Sequence, residues 1–237
     1  MKHYSGLGWG LLFLASCGSG APPLGPPHAP NANETSAAAV FESTLETQSN
    51  AITATMLDPS SQASLNSMPA SAAMAIKMGT AASPITLPVE EMLAQAGFQT
   101  CATVEMHKIT YTDCDFNSGI SGQGKLNGYV QRAGETISWS LAVVIGGVQF
   151  PMQGSTNYTW NGQGSMTITA SAVKGSADLN ATLAQYRMTH HMDIDVIYQK
   201  SPFCVTGGTM YVERHGPYLD GAARLTWTGC KMLTVEN

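Results

Sequence analysis

From residue 98 onward, apolar side chains recur at every second position, and that period restricts this part of the chain to β-sheet. Ile137, Trp139, Leu141, Val143 and Ile145 alternate with Thr136, Ser138, Ser140 and Ala142. Met166, Ile168 and Ala170 alternate with Thr167, Thr169 and Ser171, and Met188, His190, Met192, Ile194, Val196 and Tyr198 form a third such set. A strand sends successive side chains to opposite faces, so each run has one apolar and one polar face. Ala133-Gly134, Gly146-Gly147, Asn161-Gly162 and Lys174-Gly175 punctuate the runs and read as turns, Asn-Gly being a strong tight-hairpin signal. Strands at regular spacing with short connections predict an antiparallel β meander, a curved sheet or open barrel, wet on one face and covered on the other.

The cover is expected from residues 36–97. Phe41, Leu45, Ile52 and Met56 fall on one helical stripe that Asp58-Pro59 ends. A second helix is predicted from Pro69 to Met78, with proline at its start and Gly79 just past its end. A third runs from Pro88 to Ala96, with Glu90 and Glu91 in its first turn and Gly97 after its last. The chain thus reads as a helical segment, 36–97, packing on an antiparallel β domain, 98–237.

Charged residues are only 11% of the chain, so the polar strand faces must be built largely from Ser, Thr, Asn, Gln and Gly. The formal net charge of −5 becomes −6 if residues 1–16, which hold Lys2 and no acid, are removed. Such a balance offers no basic footprint for nucleic acid and no polybasic patch for anionic lipid.

The N-terminus carries a different kind of signal. Lys2 and His3 make a small positive region, and Leu7 to Ser16 form an apolar stretch of ten residues. A membrane-spanning helix needs about 20, whereas this length fits a signal peptide. A plain secretory signal cut after Ala21 is one reading. The run Leu14-Ala15-Ser16-Cys17 resembles the lipobox of bacterial lipoprotein signal peptides, and the resemblance covers residues 1–17 alone. It implies that residues 1–16 are removed as a signal peptide. It also implies that Cys17 is the lipidation site, with acyl chains such as palmitate holding the protein on a membrane of the cell envelope. Gly18, where an aspartate would favour inner-membrane retention, implies the outer membrane in a Gram-negative host. Residues 17–35, with Pro22, Pro23, Pro26, Pro27 and Pro30, then read as a tether. At about 3.1 Å per residue it would hold the domain up to roughly 60 Å from the bilayer.

With Cys17 lipidated, four of the five cysteines remain, and four allow three pairings. Cys101–Cys114 and Cys204–Cys230 are favoured, because each pair flanks a sequence that reads as a hairpin, turning near His107-Lys108 and Gly216-Pro217. Four buried free thiols are the alternative. Disulfides imply an oxidising space such as the periplasm or cell surface.

Catalytic motifs are sparse. No Cys-x-x-Cys, Gly-x-Ser-x-Gly or His-Glu-x-x-His occurs, so redox, hydrolase and zinc chemistry are not signalled. His191, Asp193 and Asp195 share one strand face and are candidate ligands for a divalent metal. The solvated polar face of a strand is the favoured reading of the same residues. Asp113, Asp115 and Asn117 match part of a calcium loop. An EF-hand, however, needs glycine at its sixth position and glutamate at its twelfth, where this chain has Ser118 and Gly124. Ser171-Ala172-Val173-Lys174 matches Ser-x-x-Lys at a strand end rather than on the helix that motif requires.

The expectation is therefore a membrane-anchored lipoprotein with a structural or interaction role at the cell envelope. It would have no catalytic activity, no cofactor and no nucleic-acid partner. The alternative is a carrier whose sheet and helices enclose a lipid or other apolar ligand, with Trp139, Phe150, Met152, Trp160 and Met166 as its lining. Methionine suits adaptable apolar sites, but the same residues also suit an ordinary core.

Overall fold

The computed structural model describes residues 23–55, 73, 75–76, 92–93, 96, 100–105, 107–117, 123–150, 154–217 and 220–237. The lipobox and Cys17, the helix stop at Asp58-Pro59, and Met152 lie outside the described residues. Helix α1 (Ala32–Thr55) precedes strands β1 (Ala102–Glu105), β2 (Lys108–Asn117), β3 (Gln123–Ala133), β4 (Thr136–Phe150) and β5 (Gly154–Ile168). They are followed by β6 (Ala172–Leu183), β7 (Tyr186–Lys200), β8 (Phe203–His215), β9 (Gly221–Gly229) and β10 (Met232–Glu236). Each strand pairs antiparallel with the next in the chain, giving one open ten-stranded meander with β1 and β10 at its edges.

The alternating runs lie in β4, β5 and β7, each of 15 residues, or about 50 Å of extended chain. Their apolar positions point to one covered face. Register aligns Val130, Trp139, Gly164, Ala177, Met192 and Val212 in a row across it. Helical residues complete the cover: Ala38, Phe41 and Leu45 of α1 join Ala73, Ala75, Ile76, Met92, Leu93 and Ala96 in the same buried core. Phe41 lies against Trp227, ring centroids 5.6 Å apart. The Trp227 indole N–H donates to Glu42 Oε1 at 2.9 Å, which satisfies the one polar atom of a buried ring. Burying each large apolar side chain contributes about 1.5–3 kcal/mol.

The helix begins at Ala32, ahead of the expected position 36, because Asn31 caps it. Asn31 Oδ1 accepts from the Asn33 and Glu34 amides, and Glu34 Oε2 accepts from the Asn31 amide at 2.8 Å. This reciprocal capping box is also a latch. Glu34, 1% exposed, accepts from Asn237 Nδ2 at 3.0 Å. Gly25 donates to the Asn237 carbonyl, and His28 exchanges two backbone hydrogen bonds with Val235. The stretch expected to be tether as far as residue 35 is therefore held against β10 from Gly25 onward.

Three of the four expected turns also need correction. Ala133-Gly134 does end β3. Gly146-Gly147 forms a bulge within β4, where register shifts between Ile145 and Val148 and Gly147 has φ 73°, a conformation natural to glycine. Asn161-Gly162 sits inside β5 and Lys174-Gly175 inside β6. A Cβ at Gly162 would overlap the Trp160 indole, one at Gly164 the Trp139 indole, and one at Gly175 the Ser165 carbonyl. These glycines make room for rings and backbone rather than for chain reversal. The actual β5–β6 and β6–β7 connections, Thr169–Ser171 and Ala184–Gln185, contain no glycine.

Both disulfides have the expected pairing. Cys101–Cys114 closes the β1–β2 hairpin across 13 residues, and Cys204–Cys230 ties β8 to the end of β9 across 26. They staple the two ends of the meander.

Candidate functional site

The polar half of each alternating run faces away from the core, and register assembles these positions into rows. One row holds Asn127, Ala142, Asn161, Asn180 and Thr189. The next holds Tyr129, Ser140, Gln163, Asp178, His191 and Glu213. Neighbouring strands lie about 4.8 Å apart, and alternate residues of one strand about 6.7 Å apart. Side-chain size therefore decides the relief of the face. Ala142 and Ser140 are short, and the amide side chains around them are longer. A depression results, about 330 Å³ in volume, lined by Asn127, Ser140, Ala142, Asn161, Gln163, Asp178 and Asn180, with Gly128, Leu141 and Gly162 between them.

The groove has a fixed wall and an uncommitted interior. Asn127 is held by both ends of its amide: Oδ1 accepts from the Asp113 backbone N–H at 2.8 Å, and Nδ2 donates to Asp113 Oδ1 at 2.9 Å. Beyond the groove the adjacent row is tied by the Ser138–Ser165 hydroxyl pair at 3.1 Å. By contrast Ser140, Asn161, Gln163 and Asn180 make no side-chain hydrogen bond to the protein among the described residues. No lysine, arginine or histidine lines the groove, and Asp178 is its one charged lining residue among those described.

Asp178 links the groove to a titrating network on β6–β8. Its Oδ1 lies 2.7 Å from His191 Nδ1, and Asp193 Oδ2 lies 3.0 Å from His191 Nε2. With a carboxylate at each nitrogen, both nitrogens act as donors only when the ring is protonated. Partial burial opposes that charge, but the hydrogen bonds to Asp178 and Asp193 outweigh it and raise the His191 pKa above its ordinary value. On β8, Tyr211 donates to Glu213 at 2.9 Å, and His215 Nε2 lies 2.7 Å from the same carboxylate. Burial acts to raise the Glu213 pKa, yet its hydrogen bonds from His215 and Tyr211 prevail and lower it.

Of the three candidate metal ligands, His191 and Asp193 come together and Asp195 does not. Asp195 pairs with Lys174 at 2.8 Å, and both His191 nitrogens face carboxylates, Asp178 and Asp193, rather than an open ligand position. Among the described residues no group of three or more His, Cys, Asp or Glu is arranged to hold an ion. Asp113 and Asp115 sit on β2 rather than in a calcium loop, Asp113 against Asn127 and Asp115 paired with Lys125 at 2.7 Å. The groove itself carries no local sequence signal, because its residues come from four strands. The one available hint was the pairing of small Ser140 and Ala142 with the amides of Asn161, Gln163 and Asn180.

No protein-family model, curated protein or solved structure matches this chain. Among the described residues no helix is long and apolar enough to cross a membrane.

Proposed function

We propose that the chain is a lipid-anchored envelope protein that acts by non-covalent recognition through the polar face of its sheet. In this reading Cys17 is the anchor, the helices are packing elements, and no bond is made or broken at the site. One observation carries it: the two faces of the sheet differ in commitment. The covered face is filled by helical side chains that are 5% exposed or less, whereas the open face presents a groove in which Ser140, Asn161, Gln163 and Asn180 make no side-chain hydrogen bond to the protein among the described residues. Anchorage is also close. Eight positions separate Cys17 from Gly25, the first of the described residues to be held, at Asn237 just past β10. At about 3.5 Å each they allow at most roughly 30 Å between lipid and domain, half the span expected from a tether reaching residue 35.

The carrier reading keeps one supporting observation. Among the described residues the buried hydroxyls of Tyr111 and Tyr158 have no hydrogen-bond partner, and the polar head of an enclosed ligand would satisfy them. One preparation separates the readings. Wild-type protein should sediment with membranes in high salt and the Cys17→Ser variant should be soluble. Organic extracts of the purified Cys17→Ser variant should contain no stoichiometric lipid. A soluble wild type would remove the anchor, and a stoichiometric apolar ligand would replace recognition by carriage.

A further inference from the structure

We propose that the groove across β3–β6 binds a neutral carbohydrate. The proposal rests on the polar face being the recognition surface and goes further by naming the ligand class. Ser140, Asn161, Gln163 and Asn180 each offer both a donor and an acceptor. Sugar hydroxyls have the same dual character, so each contact can form in either sense. Asp178 adds a pure acceptor whose direction is set, since His191 holds its Oδ1 at 2.7 Å and leaves Oδ2 without a partner among the described residues.

Other ligand classes fit less well. With Asp178 as the charge in the groove and no cation lining it, a phosphate, sulfate or uronate would meet repulsion and no ion-pair partner. An apolar ligand would find little apolar surface in the groove: among its described lining residues only Leu141 and Ala142 have apolar side chains beyond glycine, and Leu141 is buried in the core. A peptide strand needs a free sheet edge for its backbone, and β4 and β5 are paired on both sides. A cavity of about 330 Å³ falls within the ~300–1,000 Å³ of small-molecule sites. Its backbone is pre-set by the sheet ladders and its wall by Asn127, so the ordering cost of binding falls on the side chains of Ser140, Asn161, Gln163 and Asn180.

The test is a two-dimensional NMR titration of the soluble Cys17→Ser protein. The probes are linear neutral oligosaccharides of glucose, mannose and N-acetylglucosamine, with a uronic-acid oligomer and a sugar phosphate as charged comparators. A neutral probe should shift the side-chain NH₂ signals of Asn161, Gln163 and Asn180, and the charged comparators should bind roughly ten-fold more weakly or worse. Asn161→Ala with Asn180→Ala should weaken the neutral probe by about ten-fold or more and leave the melting temperature unchanged. Silence of all neutral probes at millimolar concentration, tighter binding of a charged comparator, or an unaltered response in the double variant would overturn the proposal. If solubilised envelope shifts these amides and no oligosaccharide does, the carbohydrate assignment falls and the recognition surface stands. If neither does, both fall.

Discussion

Replacing Gly162 by alanine puts a methyl group where the Trp160 indole lies. Two effects then oppose each other. Glycine within a strand costs about 0.5–1 kcal/mol relative to alanine, so removing it would stabilise β5 if space allowed. Overpacking a filled core costs about 1–3 kcal/mol, and Trp160 is 1% exposed with little room to yield. Gly162→Ala should therefore destabilise the wild type by about 1–2 kcal/mol. Trp160→Ala alone should cost about 3–5 kcal/mol. In that background the indole is gone, and Gly162→Ala should become neutral or stabilising by about 0.5–1 kcal/mol. The coupling energy, about 1–3 kcal/mol, follows from four urea melts read by far-UV circular dichroism with m-values compared. If Gly162→Ala costs the same in both backgrounds, the ring does not require the glycine, and the reason given for Asn161-Gly162 lying within a strand is wrong.

Three further outcomes are expected. In the chain-entropy model, removing Cys204–Cys230 should cost about 3.5 kcal/mol and removing Cys101–Cys114 about 2.9 kcal/mol, given loops of 26 and 13 residues. Paired Cys→Ala variants in denaturant melts should show the longer loop costing more. NMR titration should find the His191 pKa raised and lowered again by Asp178→Asn. His191 then stabilises the fold fully below its unfolded value near 6.5, and that contribution disappears as pH rises through the raised folded value. Glu213 acts in the opposite sense, its contribution being lost as pH falls through its lowered value. Glu34→Ala should cost about 1–2 kcal/mol through the lost cap and speed hydrogen exchange at the His28 and Val235 amides. Unchanged exchange there would separate the latch from the cap.

The alternation at 136–145 and 188–198, with strands at regular spacing and short connections, was enough to predict an antiparallel meander wet on one face and covered on the other. The cysteine pairs followed from the hairpins between them. Glycine was less informative in isolation. Its uses as a turn and as space beneath an indole look alike in one dimension, and only the register that seats Trp139 beside Gly164 separates them. The helix start was missed: Asn31-Ala32-Asn33-Glu34 forms an Asn-x-x-Glu box directly after Pro30, and the prolines before it made the whole stretch to residue 35 read as tether. His191, Asp193 and Asp195 were correctly assigned to one face. Their roles depended on Asp178 and Lys174 of the neighbouring strand, which pull the set apart into two ion pairs. The groove was invisible because it is a property of four strands in register.

Carboxylate footprinting in intact envelopes tests the central claim most directly. A water-soluble carbodiimide with an amine tag modifies exposed carboxylates, and Asp178 and Asp195 have side chains 47% and 60% exposed. Both lie on the same face of β6–β7, the first in the groove and the second outside it. Occupancy of the groove predicts that Asp178 is protected in the envelope relative to the purified soluble protein, while Asp195 labels equally in both. Equal labelling of Asp178 in the two states, or protection of Asp195 without Asp178, would contradict recognition through this groove.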